Sequence, residues 1–276
     1  MLAAPSARYE FPQMSPADPN RHAAERSAVD AASGAADKRG YVRAMFSDIA
    51  PRYDLLNHLL SFNVDRRWRR RAIHALQWER APAGVYLDLC AGTLDVATEL
   101  ARQPGFAGRI VGADFAEPML RAGQRKVRRM PVYPVAADAL SLPLPDASCA
   151  GAIVAFGVRN LEDLDAGLRE VARVLVPGGR YVILEFSTPP SAAVRWGYNL
   201  YFQNVLPRVG GWISGNRGAY RYLPESVARF PAASDLGERM TGAGFVDVRW
   251  EILTFGIAAI HVGKRVKDPT LGEHDG

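Results

Sequence analysis

From Pro82 onward the chain alternates short apolar runs with helical ones, and that alternation limits the fold more than any other feature. The runs at 85–90, 109–113, 132–136, 150–156 and 180–186 read as strands; helical spacing occupies 95–102, 118–129, 161–175 and 232–243. Strands separated by helices of such lengths pair in parallel, because each crossover lays its helix on a sheet face. The stretch FVDVRWEILTFGIAAIHVGKR breaks the rule: two strand-like runs meet near Gly256 with no helix between them. This predicts a terminal antiparallel hairpin. The expected fold class is therefore α/β, a Rossmann-like, mostly parallel sheet finished by antiparallel strands.

Upstream, Val42, Met45, Phe46, Ile49, Leu55, Leu56, Leu59 and Leu60 recur at three- and four-residue steps. They predict a helical cap broken at Pro51. The expected organisation is a disordered leader over 1–37, the cap over 38–81, the main domain over 82–268 and a tail over 269–276. Glu10, Asp18 and Glu25 argue against an organellar transit peptide in the leader. The two cysteines, Cys90 and Cys149, sit in apolar runs, which excludes a disulfide framework and a cysteine metal site and suits the cytoplasm. The apolar run CAGAIVAFGV is too short for a bilayer, which needs roughly 20 residues, so any membrane contact is expected to be peripheral. Net charge is +5, and DRRWRRR at 65–71 gathers five arginines around Trp68. That segment has two readings, a solvated helix face or a patch for acidic lipid headgroups with Trp68 as its interfacial anchor.

In an open α/β sheet the ligand lies beyond the carboxyl ends of the strands, where YLDLCAGTLD (86–95) turns from strand to helix. A dinucleotide site wants G-x-G-x-x-G for its pyrophosphate, and here only Gly92 fills a glycine position. The looser turn suits S-adenosylmethionine, which has no phosphate. Asp114 ends the second strand, where a carboxylate can accept from both ribose hydroxyls; Asp138 and the backbone of Ala139 follow the third, placed for an adenine edge. The competing reading of each aspartate is a helix cap. Three such strand ends in succession favour an adenosine site.

Three stretches then point to a family: YDLLNHLLSFNVDRRW (53–68), FGVRN (156–160) and RVLVPGGRYVILEFS (173–187). The chain resembles the ubiquinone/menaquinone biosynthesis C-methyltransferases over 41–265. The resemblance implies a class I methyltransferase fold with a seven-stranded sheet, and cofactor contacts from Thr93, Asp114, Asp138 and Ala139. It departs from the family pattern at Leu94, where Gly is usual, at Asp65 (His), at Val176 (Lys) and at Ala155 (Ser in some members). The implied reaction moves a methyl from a sulfonium to a ring carbon of a polyprenylated hydroquinone, demethylmenaquinol before a benzoquinol. A prenylated quinol partner, a homodimer and the absence of any metal are implied in the same way.

A ring carbon is a poor nucleophile until a neighbouring hydroxyl ionises, and a phenol titrates near pH ~10. Arg159 and Asn160 follow the fourth strand, at the cleft end of the sheet. Arg159 is expected to stabilise the developing phenolate and Asn160 to orient the ring; the competing reading pairs Arg159 with Glu162 or Asp163. His58 and His74 are further candidate bases. An aromatic segment over about 188–230, with Trp196, Tyr198, Tyr201, Phe202, Trp212, Tyr220, Tyr222 and Phe230, is expected to cover an isoprenoid, with glycines such as Gly210 and Gly218 letting it move. Other function classes fit less well. The loop AFGVRN lacks the N-P-P-Y type sequence of an amino-directed nucleic-acid methyltransferase, the lone glycine disfavours an NAD-dependent oxidoreductase, and intact Arg159 and Asn160 count against a catalytically silent scaffold.

Overall fold

A computed structural model describes residues 27–34, 37–55, 61, 63–201 and 217–266. Seven strands form one sheet: β1 Val85–Leu89, β2 Arg109–Asp114, β3 Val132–Ala136, β4 Cys149–Ala155, β5 Leu175–Phe186, β6 Phe245–Leu253 and β7 Ala258–Arg265, in the order β3-β2-β1-β4-β5-β7-β6. Neighbours are parallel from β3 through β5, while β7 runs antiparallel between β5 and β6, as the terminal hairpin predicted. The helices used below are α1 Lys38–Ile49, α2 Val64–Leu76, α3 Asp95–Ala101, α4 Glu117–Gly123, α5 Leu164–Val174, α6 Ala192–Leu200, α7 Arg217–Ala228 and α8 Ala233–Gly242.

The strands are apolar throughout because both sheet faces are covered. Successive side chains enter opposite layers. Tyr86 and Ile153 pack with Trp68, Ile73 and Leu76 of α2 and Leu100 of α3. Leu87, Leu89, Ala152 and Val154 pack with Leu168 and Val171 of α5 and Leu236 of α8. Two expected boundaries move. Helix α5 stops at Val174, and β5 begins at Leu175, pairing with Cys149 across a register shift before the main ladder starts at Gly151. The expected helix at 118–129 tightens after Gly123 into a 3-10 turn, Gln124–Val127.

Of the two readings of 65–71, helix α2 keeps a solvated face for most of its arginines and does not leave Trp68 free to anchor to lipid. The helical period turns Asp65, Trp68, Arg69 and Ala72 inward and leaves Arg66, Arg67 and Arg70 outside. Trp68 is only 6 % exposed; its indole donates to the Thr254 hydroxyl at 3.0 Å and its ring lies against Phe156 and Phe186.

Asp88 of β1 faces the α3 layer, buried, and accepts from the Ala97 amide at 3.0 Å, which ties strand to helix on either side of the turn between them. Burial pushes its carboxyl from an ordinary 3.8 to about 8, opposed by that amide. A raised folded-state value means stability that is present below pH ~4 and is lost as pH rises through about 8. Asp88→Asn keeps the acceptor and removes the titration. Its melting temperature is expected to fall less than the wild type's between pH 5 and pH 8.5, measured by calorimetry.

Candidate active site

The turn after β1 is built from left-handed residues: Cys90 (φ 52°), Gly92 (φ 52°) and Leu94 (φ 65°). The positive φ at Leu94 explains why a glycine suits the position, since a side chain there costs roughly 1–2 kcal/mol. The cost is met by packing. Leu94 is fully buried, and a Cβ on Gly112 would come within 2.5 Å of its Cδ2, so the bare Gly112 backbone makes room for it. The turn leans on β2: the Gly92 amide donates to Asp114 Oδ2 at 2.8 Å, and the Ala116 amide to Oδ1 at 2.8 Å. Burial raises the Asp114 carboxyl above its usual range, and the two amides pull it back. Each Asp114 oxygen accepts one amide and keeps a second lone pair for a ligand hydroxyl.

A cleft opens at these strand ends, walled by Gly92, Asp114, Asp138, Ala139 and Asn160 together with Phe115, Met119 and Phe156. Five of the seven residues singled out in the sequence therefore meet here; Thr93 and Arg159 do not. Thr93 is buried and donates to Asp54 Oδ1 at 2.5 Å. Asp138 accepts the Leu140 amide at 3.0 Å and, through Oδ2, pairs with Arg39 at 2.8 Å. With that guanidinium in place only about 60 Å³ is free. Arg39 is about half exposed, so its pairing is worth at most about 1 kcal/mol and gives way readily. The carboxylates of Asp114 and Asp138 between apolar Phe115 and Met119 fit a nucleoside with its ribose and amino groups, and Gly92, at φ 52°, takes a conformation that a side chain would strain.

Behind the cleft lies a second, apolar cavity of about 530 Å³, lined by Met45, Ile49, Trp68, Phe186, Tyr198, Tyr201, Tyr222 and Ile257 among others. Phe46, Tyr53 and Phe156 belong to both walls. Arg159 faces the apolar cavity and its neighbour Asn160 the cleft, so the two residues straddle the partition. Arg159 pairs with neither Glu162 nor Asp163. Its Nη1 donates to Glu185 Oε1 at 2.8 Å and to the Phe156 carbonyl, its backbone amide reaches Glu185 Oε2 at 3.3 Å, and the guanidinium lies 5.5 Å from the Phe186 ring centre. Both members of the pair are buried; burial raises the Glu185 carboxyl, against the pull of Arg159. Sequence reasoning missed Glu185, although a carboxylate inside the apolar run YVILEFS was the available signal. Of the other candidates, His74 is exposed on α2, while His58, Phe202, Gly210 and Trp212 lie outside the described residues, as does the Tyr220 side chain.

The cap is fastened to the cofactor turn by alternating charges. Asp65 pairs with Arg69 at 2.9 Å, Arg69 with Asp95 at 3.1 Å, Asp95 with Lys126 at 2.5 Å and Lys126 with Asp54 at 2.5 Å. Asp54 then accepts from Thr93. Asp65 supplies the outer end of this chain.

The model of the ubiE/COQ5 methyltransferase family matches residues 33–265. The chain belongs to that family. It is 56% identical over 224 residues to a demethylmenaquinone methyltransferase of Thermus thermophilus, covering 80% of this chain and 100% of that one. It is 47% identical over 233 residues to a ubiquinone/menaquinone biosynthesis C-methyltransferase of Geobacter sulfurreducens, covering 83% and 90%. Among solved structures, a Thermotoga maritima S-adenosylmethionine-dependent methyltransferase aligns with TM-score 0.52 at 18% identity over 79% and 99% of the two chains. The [4+2]-cyclase SpnF aligns with TM-score 0.54 at 18% identity over 72% and 81%. These distant likenesses establish the fold. Family membership makes the protein a methyltransferase with S-adenosylmethionine as methyl donor.

Lys126→Met takes the cation from Asp54 and leaves Asp95 with Arg69 alone. It is expected to cost about 1 kcal/mol at low salt and less at high salt, read from denaturant midpoints at two ionic strengths. Glu185→Ala strands a buried guanidinium and should destabilise the fold by about 3–5 kcal/mol in the same measurement.

Proposed function

We propose that this methyltransferase transfers its methyl group to a ring carbon of a polyprenylated hydroquinone, with demethylmenaquinol as the acceptor. The observation that carries this reading is the pairing of the polar cleft with an apolar cavity of about 530 Å³ that shares Phe46, Tyr53 and Phe156 with it. A cavity of that character suits a long hydrocarbon tail and an aromatic ring. The Thermus thermophilus and Deinococcus radiodurans relatives carry the demethylmenaquinone name, which favours a naphthoquinol. A benzoquinol stands second, because the Geobacter sulfurreducens relative's name covers both quinone classes.

When bound, S-adenosylmethionine supplies a methyl group on a sulfonium. The cofactor is held by the Gly92 turn, Asp114, Asp138 and Ala139, with Thr93 shaping the turn through Asp54. On the acceptor side, Arg159 places a fixed positive charge where a ring hydroxyl loses its proton, and Glu185 holds that charge in position. A guanidinium has no lone pair to act as base, so the proton leaves to water. Asn160 orients the ring from the cleft side. The cap over 38–81 and the described parts of the 188–230 insertion, α6 and α7, enclose the tail and keep bulk water from the reacting atoms.

Delivery of so apolar an acceptor supports a peripheral membrane contact. Among the described residues no helix is long and apolar enough to cross a bilayer. Trp196 and Phe255, 70% and 79% exposed, flank the cavity-lining Gly197 and Thr254, and Arg66, Arg67 and Arg70 are exposed on α2, whose inner face lines the same cavity. Apolar side chains beside cations match an anionic lipid surface.

The test is product mass after incubation with S-adenosylmethionine and reduced or oxidised demethylmenaquinone. One added methyl on the reduced form alone is expected, because only the hydroquinone can ionise. Methylation of neither form by protein that binds the cofactor would sink the proposal. Arg159→Ala is expected to lower kcat by roughly 10²–10³ with cofactor affinity unchanged, as for removal of one preorganised charge partner.

A further inference from the structure

Three polar atoms on residues that line the two cavities are buried without a hydrogen-bond partner among the described residues: Arg159 Nε, Asn160 Oδ1 and the Tyr222 hydroxyl. Buried polar groups are almost always partnered, and leaving one unmade costs about 1–3 kcal/mol. Three such atoms on these linings mark a place where a ligand completes the bonding. Arg159 and Asn160 already belong to the proposed reaction. Tyr222 does not, and nothing in its sequence context, RGAYRYLPES, had set it apart from its aromatic neighbours.

Tyr222 lies on α7, which packs against the turn Val158–Asn160 that carries Arg159. Its ring is 1% exposed, is held against Tyr41 at 5.7 Å between ring centres, and lines the same apolar cavity as Arg159. A phenol at the wall of an otherwise apolar cavity serves an occupant that is apolar over most of its surface and bears an oxygen. A hydroquinone has two ring oxygens, and the single guanidinium of Arg159 accounts for one. We propose that the Tyr222 hydroxyl donates a hydrogen bond to the second ring oxygen of the acceptor, fixing the ring's rotation so that the carbon beside the Arg159-held oxygen faces the cofactor cleft. The inference rests on the hydroquinone reading above. Tyr222 is thus a residue of specificity, selecting a diol ring over a ring with one hydroxyl. Burial pushes its hydroxyl up to about 12, which keeps it neutral and a donor at physiological pH.

Tyr222→Phe deletes the oxygen and keeps the ring. With reduced demethylmenaquinone, kcat/KM is expected to fall about 10- to 50-fold, mainly through KM, while cofactor affinity and melting temperature hold or rise slightly because an unpartnered buried hydroxyl has gone. An acceptor analogue with only the hydroxyl ortho to the reacting carbon separates contact from packing. Wild type should lose a similar factor on it, and the variant should lose little more. Undiminished kcat/KM in Tyr222→Phe on the diol, or equal further losses for both proteins on the analogue, would overturn the tyrosine contact alone. Failure of the wild-type protein to methylate any hydroquinone would overturn the acceptor reading, and this inference with it.

Discussion

Everything in the site depends on β1 and β4 lying side by side while their connections leave in opposite directions. From β1 the chain winds outward through β2 to β3; from β4 it winds the other way to β5. The loops that follow the two strands must part, and a crevice opens at their carboxyl ends. The backbone turns sharply there: Cys90 after β1 and Phe156 after β4 are both in the left-handed region. Those turns send Gly92 toward Asp114 on one side and Arg159 toward Glu185 on the other.

The crevice becomes two compartments because the cap is drawn down onto it. The charge chain from Asp65 to Thr93 runs along the seam between cap and sheet, and each member is satisfied by the next. Apolar packing of Trp68, Ile73 and Leu76 seats α2 on the sheet, and the charge chain ties the helix and Asp54 to the turn after β1. With the cap in place, Phe46 and Tyr53 meet Phe156 and complete the partition. One side is then polar enough for a nucleoside and the other apolar enough for a prenyl tail, with Arg159 and Asn160 on the wall between them. The buried Glu185 holds the guanidinium of Arg159 in one position beside that partition.

The same geometry explains why one departure from the family pattern is tolerated. Leu94 takes a conformation that suits glycine, yet its side chain fills the space over Gly112 and adds to the apolar layer. The turn keeps its shape through hydrogen bonds to Asp114 and Ala113 rather than through the freedom of a glycine at 94.

By itself the sequence determined the parallel sheet, the terminal hairpin and which residues meet in the cleft at the strand ends, because each rests on local signals. Short apolar runs and helical spacing set the elements, and polar residues that follow strands come to the carboxyl edge of any such sheet, so Asp114, Asp138 and Asn160 were placed by their order along the chain. Only the tertiary structure decided the partners of Arg159, the direction of Trp68 and the distinctness of Tyr222. Arg159 meets Glu185 because β4 and β5 are adjacent, a contact 26 residues distant that local spacing does not show. The five arginines around Trp68 left a solvated face and a lipid anchor both open, but the helical period, read against a sheet that needed covering, turned Trp68 inward. Tyr222 was one aromatic among many until folding left its hydroxyl buried beside the apolar cavity, since a hydrogen bond left open is a property of the packed state and no residue carries it alone.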